Sequence, residues 1–341
     1  MKHVIIGGNG FVGRHLAAKL VQEGEDVVVC DIAKDNLPHY ANCRFVSLDV
    51  TDKGQLLQLG IKPDDMVYNL SAKMLSPLQT RARRHDFFWP VNYYGTANII
   101  ETMADCGASK LVHYTTDMIY GHTFTYPQTE DHPANPLGEY GMSKWKTEEL
   151  AAVWRQKGMN ISVFRPRLII GPGRLGILSK LFKLIDNNLP VPMIGSGRNP
   201  YQFISVFDCA EAARLAWKCG VPNEAYNLGS DNPPPVRRLL GDLIKHAGSK
   251  SFLLPTPAWA VKRTLDLFDL VNLPVMDPEQ YLIADEMCIL DCTKAKQQLG
   301  WSADHRDEDM LIAAYEEYRA GRETGQTVAS TEPKYTLRQD S

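Results

Sequence analysis

Short apolar runs alternate with stretches of helical periodicity along the first half of the chain. Strands are predicted at residues 1–6, 27–30, 44–48, 66–72, 110–116 and 161–166. Between the first two runs, Leu16, Ala17 and Leu20 recur at helical spacing and share one face of a predicted helix. Strands that alternate with helices are typical of a parallel sheet covered on both faces. The expected fold class is therefore α/β, with a doubly wound parallel Rossmann sheet.

A glycine-rich turn joins the first predicted strand to the first predicted helix. Gly7, Gly10 and Gly13 are spaced three residues apart, and the second strand ends at Asp31. Gly7 would permit a tight turn, Gly10 would let the backbone approach a pyrophosphate, and Gly13 would let the helix pack closely. The phosphates would accept hydrogen bonds from amides at the helix N-terminus, and Asp31 would bind the adenosine ribose hydroxyls. This context predicts a dinucleotide site.

The length of 341 residues suits two domains. We expect residues 1–170 to form mainly the nucleotide-binding domain. Residues 171–318 are expected to form mainly a smaller, mixed α/β substrate-binding domain, with some segments returning to the first domain. Residues 319–341 are polar and carry few large apolar side chains, so a mobile tail is predicted there.

One stretch of the second half, Pro257 to Val271, has the periodicity of an amphipathic helix. Its apolar stripe is formed by Ala258, Val261, Leu265 and Phe268. Its charged residues lie largely opposite and are Lys262, Arg263, Asp266 and Asp269. A helix of the core or of a pocket wall is expected, with a membrane-surface helix as the alternative.

Charge and composition narrow the range of partners. The net charge of −3 suggests neither nucleic acid nor an anionic membrane as the partner of the whole molecule. The seven cysteines are scattered without a CxxC pair, which predicts free thiols and a cytoplasmic protein. The nine histidines lack metal-ligand spacing, so no metal is expected. No apolar run approaches the ~20 residues of a membrane span, and the opening strand leaves no room for a signal peptide.

The candidate chemistry follows the fifth predicted strand. Thr116 ends that strand, and a predicted helix opens at Glu139. Tyr140 and Lys144 are four residues apart on this helix, so their side chains share one face. A tyrosine with a pKa near 10 is a poor base at neutral pH, but a neighbouring ammonium group favours the phenolate. The pair therefore predicts a general acid/base.

As a set, these motifs resemble the extended short-chain dehydrogenase/reductases, which include nucleotide-sugar epimerases and dehydratases. The resemblance extends from about Lys2 to Tyr318 and includes features of the 3β-hydroxysteroid dehydrogenase-like branch. Besides the glycine trio, Asp31 and the Tyr–Lys pair, it is carried by Asp49-Val50, Asn69-Leu70-Ser71-Ala72, Asn92 with Gly95-Thr96, Tyr120-Gly121, Arg165-Pro166 and Leu299-Gly300-Trp301.

The resemblance implies hydride transfer between NAD and a secondary alcohol or ketone carbon of a small molecule. Tyr140 would be the acid/base, and Lys144 would lower its pKa and hold the nicotinamide ribose. Thr116 would bind the substrate oxygen, and Asn92 matches the asparagine of the family's proton relay. NAD is expected rather than NADP because Asp31 would repel a 2′-phosphate, an effect that Lys34 would soften.

The implied cofactor-binding residues lie along the first half of the chain. They are Gly7, Gly10, Phe11, Val12, Gly13, Asp31, Ile32, Asp49, Val50, Leu70, Ser71, Ala72, Tyr140, Lys144 and Pro166. The resemblance also implies a homodimer that pairs through the helices starting near Asn92 and Tyr140.

Departures from the family pattern concern the substrate. Met118 stands where the 4,6-dehydratases have a glutamate, and its side chain cannot move a proton. Tyr201 stands where many nucleotide-sugar enzymes place an arginine for the diphosphate. The segment Gly195–Phe203 is similar to the 3β-hydroxysteroid dehydrogenase-like branch, which acts on apolar or other non-nucleotide substrates. Substrate contacts are expected at Lys73, Asp117, Met118, Arg167, Arg198 and Tyr201.

Three functions remain in competition. The first is an NAD-dependent dehydrogenase/reductase that acts on one secondary alcohol. The second is a nucleotide-sugar epimerase with tightly bound NAD, in which Arg81, Arg83, Arg167 or Arg198 would hold the diphosphate. The third is a catalytically silent nucleotide-binding regulator, which the complete set of Thr116, Tyr140 and Lys144 disfavours.

Overall fold

The computed structural model of the protein describes residues 1–32, 43–173, 176 and 178–323. In chain order its strands are β1 (His3–Ile6), β2 (Val27–Asp31), β3 (Arg44–Ser47), β4 (Met66–Asn69), β5 (Lys110–Tyr114), β6 (Asn160–Pro166), β7 (Leu168–Ile170), β8 (Val191–Ile194), β9 (Phe203–Ser205), β10 (Ala225–Leu228) and β11 (Leu253–Thr256). One parallel sheet has the order β10-β6-β5-β4-β1-β2-β3. The expected α/β class with a doubly wound Rossmann sheet is confirmed.

The α-helices cover both faces of this sheet and build the second part of the chain. They are α1 (Phe11–Gln22), α2 (Lys53–Gln58), α3 (Arg84–Trp89), α4 (Thr96–Asp105), α5 (Glu139–Gln156), α6 (Leu178–Asp186), α7 (Val206–Lys218), α8 (Val236–His246), α9 (Ala258–Leu270), α10 (Pro278–Tyr281), α11 (Thr293–Leu299) and α12 (Asp307–Glu323). A π-helical segment, Pro90–Gly95, makes α3 and α4 continuous.

The inner strands of the main sheet are mostly apolar because both faces of the sheet are buried, whereas the edge strand β3 has exposed residues at both ends. Successive side chains of β1 point to opposite faces, so Ile5 joins one core cluster while Val4 and Ile6 join the other. Helices α1 and α7 supply the first cluster with residues such as Leu16 and Ala213. Helices α2, α4 and α5 cover the second face. Parallel strands require such crossovers, and these place all the strand carboxyl ends at one edge of the sheet.

A third apolar cluster lies in the second part of the chain, around Phe182, Leu243 and Tyr315. Two small parallel pairs, β8 with β11 and β7 with β9, accompany it. Strand β10 leaves this part and pairs with β6 in the main sheet. The division near residue 170 stays a prediction. Helix α12 continues to Glu323, beyond the predicted start of the tail at residue 319, and residues 324–341 lie outside the described part of the chain.

The apolar stripe predicted for α9 is half-buried at Ala258, Val261 and Leu265, while Phe268 is 40% exposed. The expectation of a core or pocket-wall helix stays a prediction for this stripe. Asp269, expected largely opposite the stripe, is buried. Trp259, Leu267 and Leu270, which lie outside the stripe, are exposed. Across the described residues, none of the helices has the length and apolarity needed to span a bilayer.

Candidate active site

The glycine turn between β1 and α1 has the geometry that a phosphate cradle needs. Gly7 has a φ of +77°, and a β carbon there would lie 2.6 Å from Leu70 C and Ser71 N. A β carbon at Gly13 would lie 2.6 Å from the carbonyl oxygen of Gly7. At Gly10 the corresponding distance to this oxygen would be 2.9 Å. Gly10 is also the N-cap of α1 and offers no side-chain acceptor to the first amides, which leaves those donors suited to a phosphate.

Asp31 ends β2 beside this turn. Its carboxylate accepts hydrogen bonds from the backbone amides of Asn9 at 2.9 Å and Ile32 at 2.8 Å. These two bonds fix the carboxylate at the edge of the glycine turn, where it can accept from ribose hydroxyls. Lys34, which was expected to soften the repulsion of a 2′-phosphate, lies outside the described residues.

The other predicted cofactor residues line the same edge of the sheet. Phe11 and Val12 are buried in the first turn of α1, Leu70, Ser71 and Ala72 follow β4, and Pro166 ends β6. The Ser71 amide and hydroxyl both donate to the side-chain oxygen of Asn69, at 3.1 and 2.6 Å. The Asp49 carboxylate accepts from the Thr51 amide, and Val50 packs below Gly95. The strand order reverses between β1 and β4, which is where such folds bind nucleotides.

Helix α5 carries the Tyr–Lys pair, and both side chains are buried. Lys144 Nζ donates to the carbonyl oxygen of Tyr114 at 2.9 Å. Burial lowers the pKa of Lys144 to about 8, while the charge of Glu148 opposes that shift. The ammonium form therefore persists at neutral pH, which is the condition under which it favours the phenolate of Tyr140.

The end of β5 presents Thr116 as a candidate substrate-binding hydroxyl. Its Oγ1 accepts from the amide of Met118 at 3.2 Å and lies 3.3 Å from Asp117 Oδ1, to which it donates. The Tyr140 hydroxyl lies 3.5 Å from the sulfur of Met74. Met74 was not among the predicted site residues, because a single methionine in an irregular loop has no recognisable pattern.

Asn92 lies in the π-helical segment, a distortion that often marks functional sites. Its Oδ1 accepts from the Lys73 amide at 2.8 Å, and its Nδ2 donates to the Ser143 hydroxyl at 3.1 Å. The Ser143 hydroxyl in turn donates to the carbonyl oxygen of Tyr140 at 2.7 Å. Asn92 therefore links the loop after β4 to the first turns of α5.

Three of the predicted substrate residues form one group, in which Arg167 and Asp117 are buried and Tyr201 is half-buried. Arg167 is 2% exposed, and its guanidinium forms an ion pair with Asp117. The same guanidinium lies over the ring of Tyr201, 5.0 Å from its centroid. Burial opposes the charge of Arg167, but the neighbouring carboxylate of Asp117 outweighs it and raises the pKa, so the guanidinium stays protonated. Arg198, by contrast, is exposed in the turn that follows β8.

Glu279 contacts the active-site helix and was missed in the sequence. Its two carboxylate oxygens accept from the amides of Tyr140 at 2.9 Å and Gly141 at 2.8 Å. Burial and then the charge of Asp277 raise the pKa of Glu279 to about 8. β carbons at Gly138 and Gly141 would lie 2.6 and 2.7 Å from its carboxylate oxygens. The partners are 139 residues apart, so no local pattern could have revealed the contact.

The fold and the glycine turn indicate a dinucleotide-binding protein, and α5 carries the candidate Tyr–Lys pair. The chain belongs to the NAD-dependent epimerase/dehydratase family, whose model matches residues 3–229. The expected superfamily, enzyme class and NAD cofactor are thereby confirmed. The glycine cradle and Asp31 fit that cofactor.

Individual proteins resemble the chain over most of its length. The Sinorhizobium fredii protein y4nG is 29% identical over 94% of this chain and 79% of its own. UDP-glucose 4-epimerase of Lactobacillus helveticus is 25% identical over 92% of this chain and 95% of its own. The crystal structure of a Thermotoga maritima UDP-glucose 4-epimerase superposes with a TM-score of 0.75 at 22% identity, covering 94% of this chain and 100% of that one.

Proposed function

We propose that the protein transfers hydride at one secondary alcohol or ketone carbon of a substrate that lacks a nucleotide diphosphate, without epimerisation or dehydration. The observation that carries the proposal is the buried ion pair of Arg167 and Asp117 with the ring of Tyr201 beside it. A diphosphate is held by forked, unneutralised donors, which arginine supplies. In this chain Asp117 already neutralises Arg167, and Tyr201 has no positive charge.

Different residues of the chain have different roles in the proposed reaction. Tyr140 accepts the hydroxyl proton of the substrate during oxidation and returns it during reduction. Lys144 favours the phenolate form of Tyr140. Thr116 orients the substrate oxygen toward Tyr140. NAD, when bound, accepts or supplies the hydride, and the glycine turn and Asp31 would hold it.

The proposal excludes a 4,6-dehydration because of residue 118. Such a reaction needs a second acid/base beside the sugar, and Met118 offers only a thioether there. The Met118 amide donates to Thr116 Oγ1, so the backbone of Met118 helps to position that hydroxyl.

An epimerase with transiently reduced NAD is the second candidate. The similarity to the Lactobacillus helveticus UDP-glucose 4-epimerase over 92% of this chain favours it. In that case the exposed Arg198 would contact the diphosphate, since Arg167 is already paired.

Two measurements separate the candidates. Incubation with excess NAD and pools of secondary alcohols should accumulate NADH if the first is correct, whereas an epimerase returns its hydride to the product. Calorimetric titration of the NAD-loaded protein with UDP, dTDP and GDP should show no micromolar binding. Micromolar binding that is lost in the Arg198→Ala variant, with Arg237→Ala as an exposed arginine control, would make the epimerase the leading function.

We also propose that the enzyme is a cytoplasmic homodimer. All seven cysteines are free thiols, which supports a reducing compartment. Tyr94 in the π-helical segment and Val153 on α5 are large apolar side chains exposed to solvent. These elements pack against each other, and their outer surface supports the expected pairing of subunits.

A further inference from the structure

Helix α9 and the segment after it expose an unusual run of large apolar side chains. On the helix, the exposed fractions are 75% for Trp259, 58% for Leu267 and 64% for Leu270. The run continues through the segment 271–275, with Val271, Leu273 and Val275 each at least half exposed. We call the exposed apolar side chains within residues 259–275 the α9 surface. Contiguous exposed apolar side chains of this kind mark interaction sites.

Polar contacts hold the opposite side of α9 against the protein. Asp269 accepts from the buried guanidinium of Arg84, with one of the two bonds at 3.0 Å. Asp266 accepts from the Tyr281 hydroxyl at 2.6 Å, and Lys262 forms an ion pair with Asp285. Because these three charged residues face the protein, the exposed apolar residues of α9 lie on its outward side, together with Arg263.

Cationic side chains accompany the α9 surface. Arg263 is exposed on the helix itself, while both acids of α9 are engaged on the inner side. Lys180 Nζ donates to the carbonyl oxygen of Val275 at 3.4 Å. Arg81 and Arg83 are exposed immediately before Arg84, the partner of Asp269. An apolar surface with cations beside it is complementary to an anionic lipid bilayer.

We propose that the α9 surface docks the protein on an anionic membrane surface, with its apolar side chains inserted among the lipid headgroups. Charge complementarity favours lipid over a second copy of the chain. In a two-fold pairing the cations beside this surface would face the same cations of the other copy, whereas an anionic bilayer attracts them. Trp259 is also of the residue type that prefers the interface of a bilayer.

Peripheral docking is compatible with the rest of the molecule. The net charge of −3 describes the whole chain, whereas a bilayer attracts only the charges within about 10 Å of its surface. Asp269 and Asp266 hold the helix against the protein. Docking therefore requires neither detachment of the helix nor a membrane-spanning segment. The contact would therefore be reversible and sensitive to salt.

The test is cosedimentation of the full chain with vesicles of phosphatidylcholine alone or mixed with phosphatidylglycerol. We expect at least tenfold tighter binding to the mixed vesicles at low salt, weakened by 0.5 M salt. The triple variant Trp259→Ser/Leu267→Ser/Leu270→Ser should lose binding at least tenfold, and Arg263→Glu/Lys180→Glu should lose the preference for phosphatidylglycerol. Leu57→Ser/Phe124→Ser, which removes exposed apolar side chains elsewhere, should bind as the wild type does.

Three results would overturn the proposal. They are no binding to mixed vesicles, equal binding by the triple variant, or a molecular mass in solution that falls when the triple variant is made. The last result would assign the α9 surface to a second copy. Circular dichroism and thermal melting of each variant verify that the substitutions, all at exposed positions, leave the fold intact.

Discussion

Lys144 is a buried cation on the same helix as Tyr140. Burying an ammonium is costly unless it is paired or hydrogen-bonded, and here the Tyr114 carbonyl accepts from it at 2.9 Å. The lowered pKa of about 8 reflects that cost. Perturbed pKa values of this kind concentrate at functional sites, because a charge kept in a protected environment acts strongly on its neighbours.

Replacing Tyr140 with phenylalanine should abolish turnover and leave NAD affinity within about twofold. The ring keeps its packing against Phe88, and only the transferable proton is lost. We expect kcat to fall by about 10²–10⁴-fold, the contribution of general acid–base catalysis. Steady-state kinetics and NAD titration by calorimetry measure the two quantities. A variant that kept a tenth of the wild-type rate would remove Tyr140 from the mechanism.

NAD affinity should depend on the protonation of Lys144. If the ammonium donates to the nicotinamide ribose, its loss above pH 8 removes a charge-assisted hydrogen bond. The dissociation constant should then rise by about tenfold between pH 7 and pH 9, as a single titration predicts. Lys144→Met should bind NAD weakly with no such pH dependence, and equal pH profiles for both proteins would contradict the assignment.

The residues predicted from the sequence are those with local patterns. The glycine spacing, Asp31 and the Tyr140–Lys144 pair each follow from positions close along the chain. The Arg167–Asp117 ion pair and the Glu279 contact could not be predicted, because they join residues 50 and 139 positions apart. Arg167 was expected to contact substrate, and only its partner in space shows that its charge is already neutralised.

At the scale of the element, α5 depends on a cap supplied by another part of the chain. Gly138 precedes the helix and has no side chain to accept its first amides. Glu279, from α10, accepts two of them and so performs the work of an N-cap residue from a distance. The helix that carries Tyr140 is thereby joined to the part of the chain that contains α9 and α10.

Replacing Glu279 with glutamine should change how stability depends on pH. The folded-state pKa is about 8 against an ordinary value of 4.5, so the folded protein holds a proton that the unfolded chain releases between these values. Wild-type stability should fall as pH rises through this window, by up to about 1.4 kcal/mol per pH unit from this group. Urea denaturation at pH 5, 6, 7 and 8 should show a flatter profile for Glu279→Gln. Parallel profiles would mean that the carboxyl group does not titrate in this range.

Elements were predictable where the pattern had one structural meaning. Continuous apolar runs correctly indicated β1, β2 and β5, since a parallel strand is buried on both faces. The amphipathic pattern of α9 had two meanings, because its predicted stripe is half-buried while other apolar residues of the helix, such as Trp259 and Leu270, are exposed. The π-helical segment was not predicted, because its six residues are too few to establish a hydrophobic period that differs from that of an α-helix.

On the scale of the whole molecule, the parallel sheet brings the candidate site together. Its crossovers place the glycine turn, Asp31, the loop after β4 and the segment after β5 at one edge of the sheet. Gly7 and Thr116 lie at this edge although they are 109 positions apart in the sequence. The surface proposed for subunit pairing lies elsewhere, on the outer side of α5 and the π-helical segment. The α9 surface belongs to a different part of the chain, so subunit pairing and membrane docking can be tested separately.

Light scattering at micromolar concentration should give the mass of a dimer for the wild type. Tyr94 and Val153 are 54% and 47% exposed on elements that pack together, so a two-fold interface across them would bury both. Tyr94→Glu/Val153→Glu would place four carboxylates in that interface without partners, and we expect it to be monomeric at the same concentration. The α9 triple variant is the matched control, because it removes exposed apolar side chains elsewhere and should remain dimeric. A wild-type monomer, or a dimer that persists in the double variant, would assign the exposed apolar residues of α5 to another role.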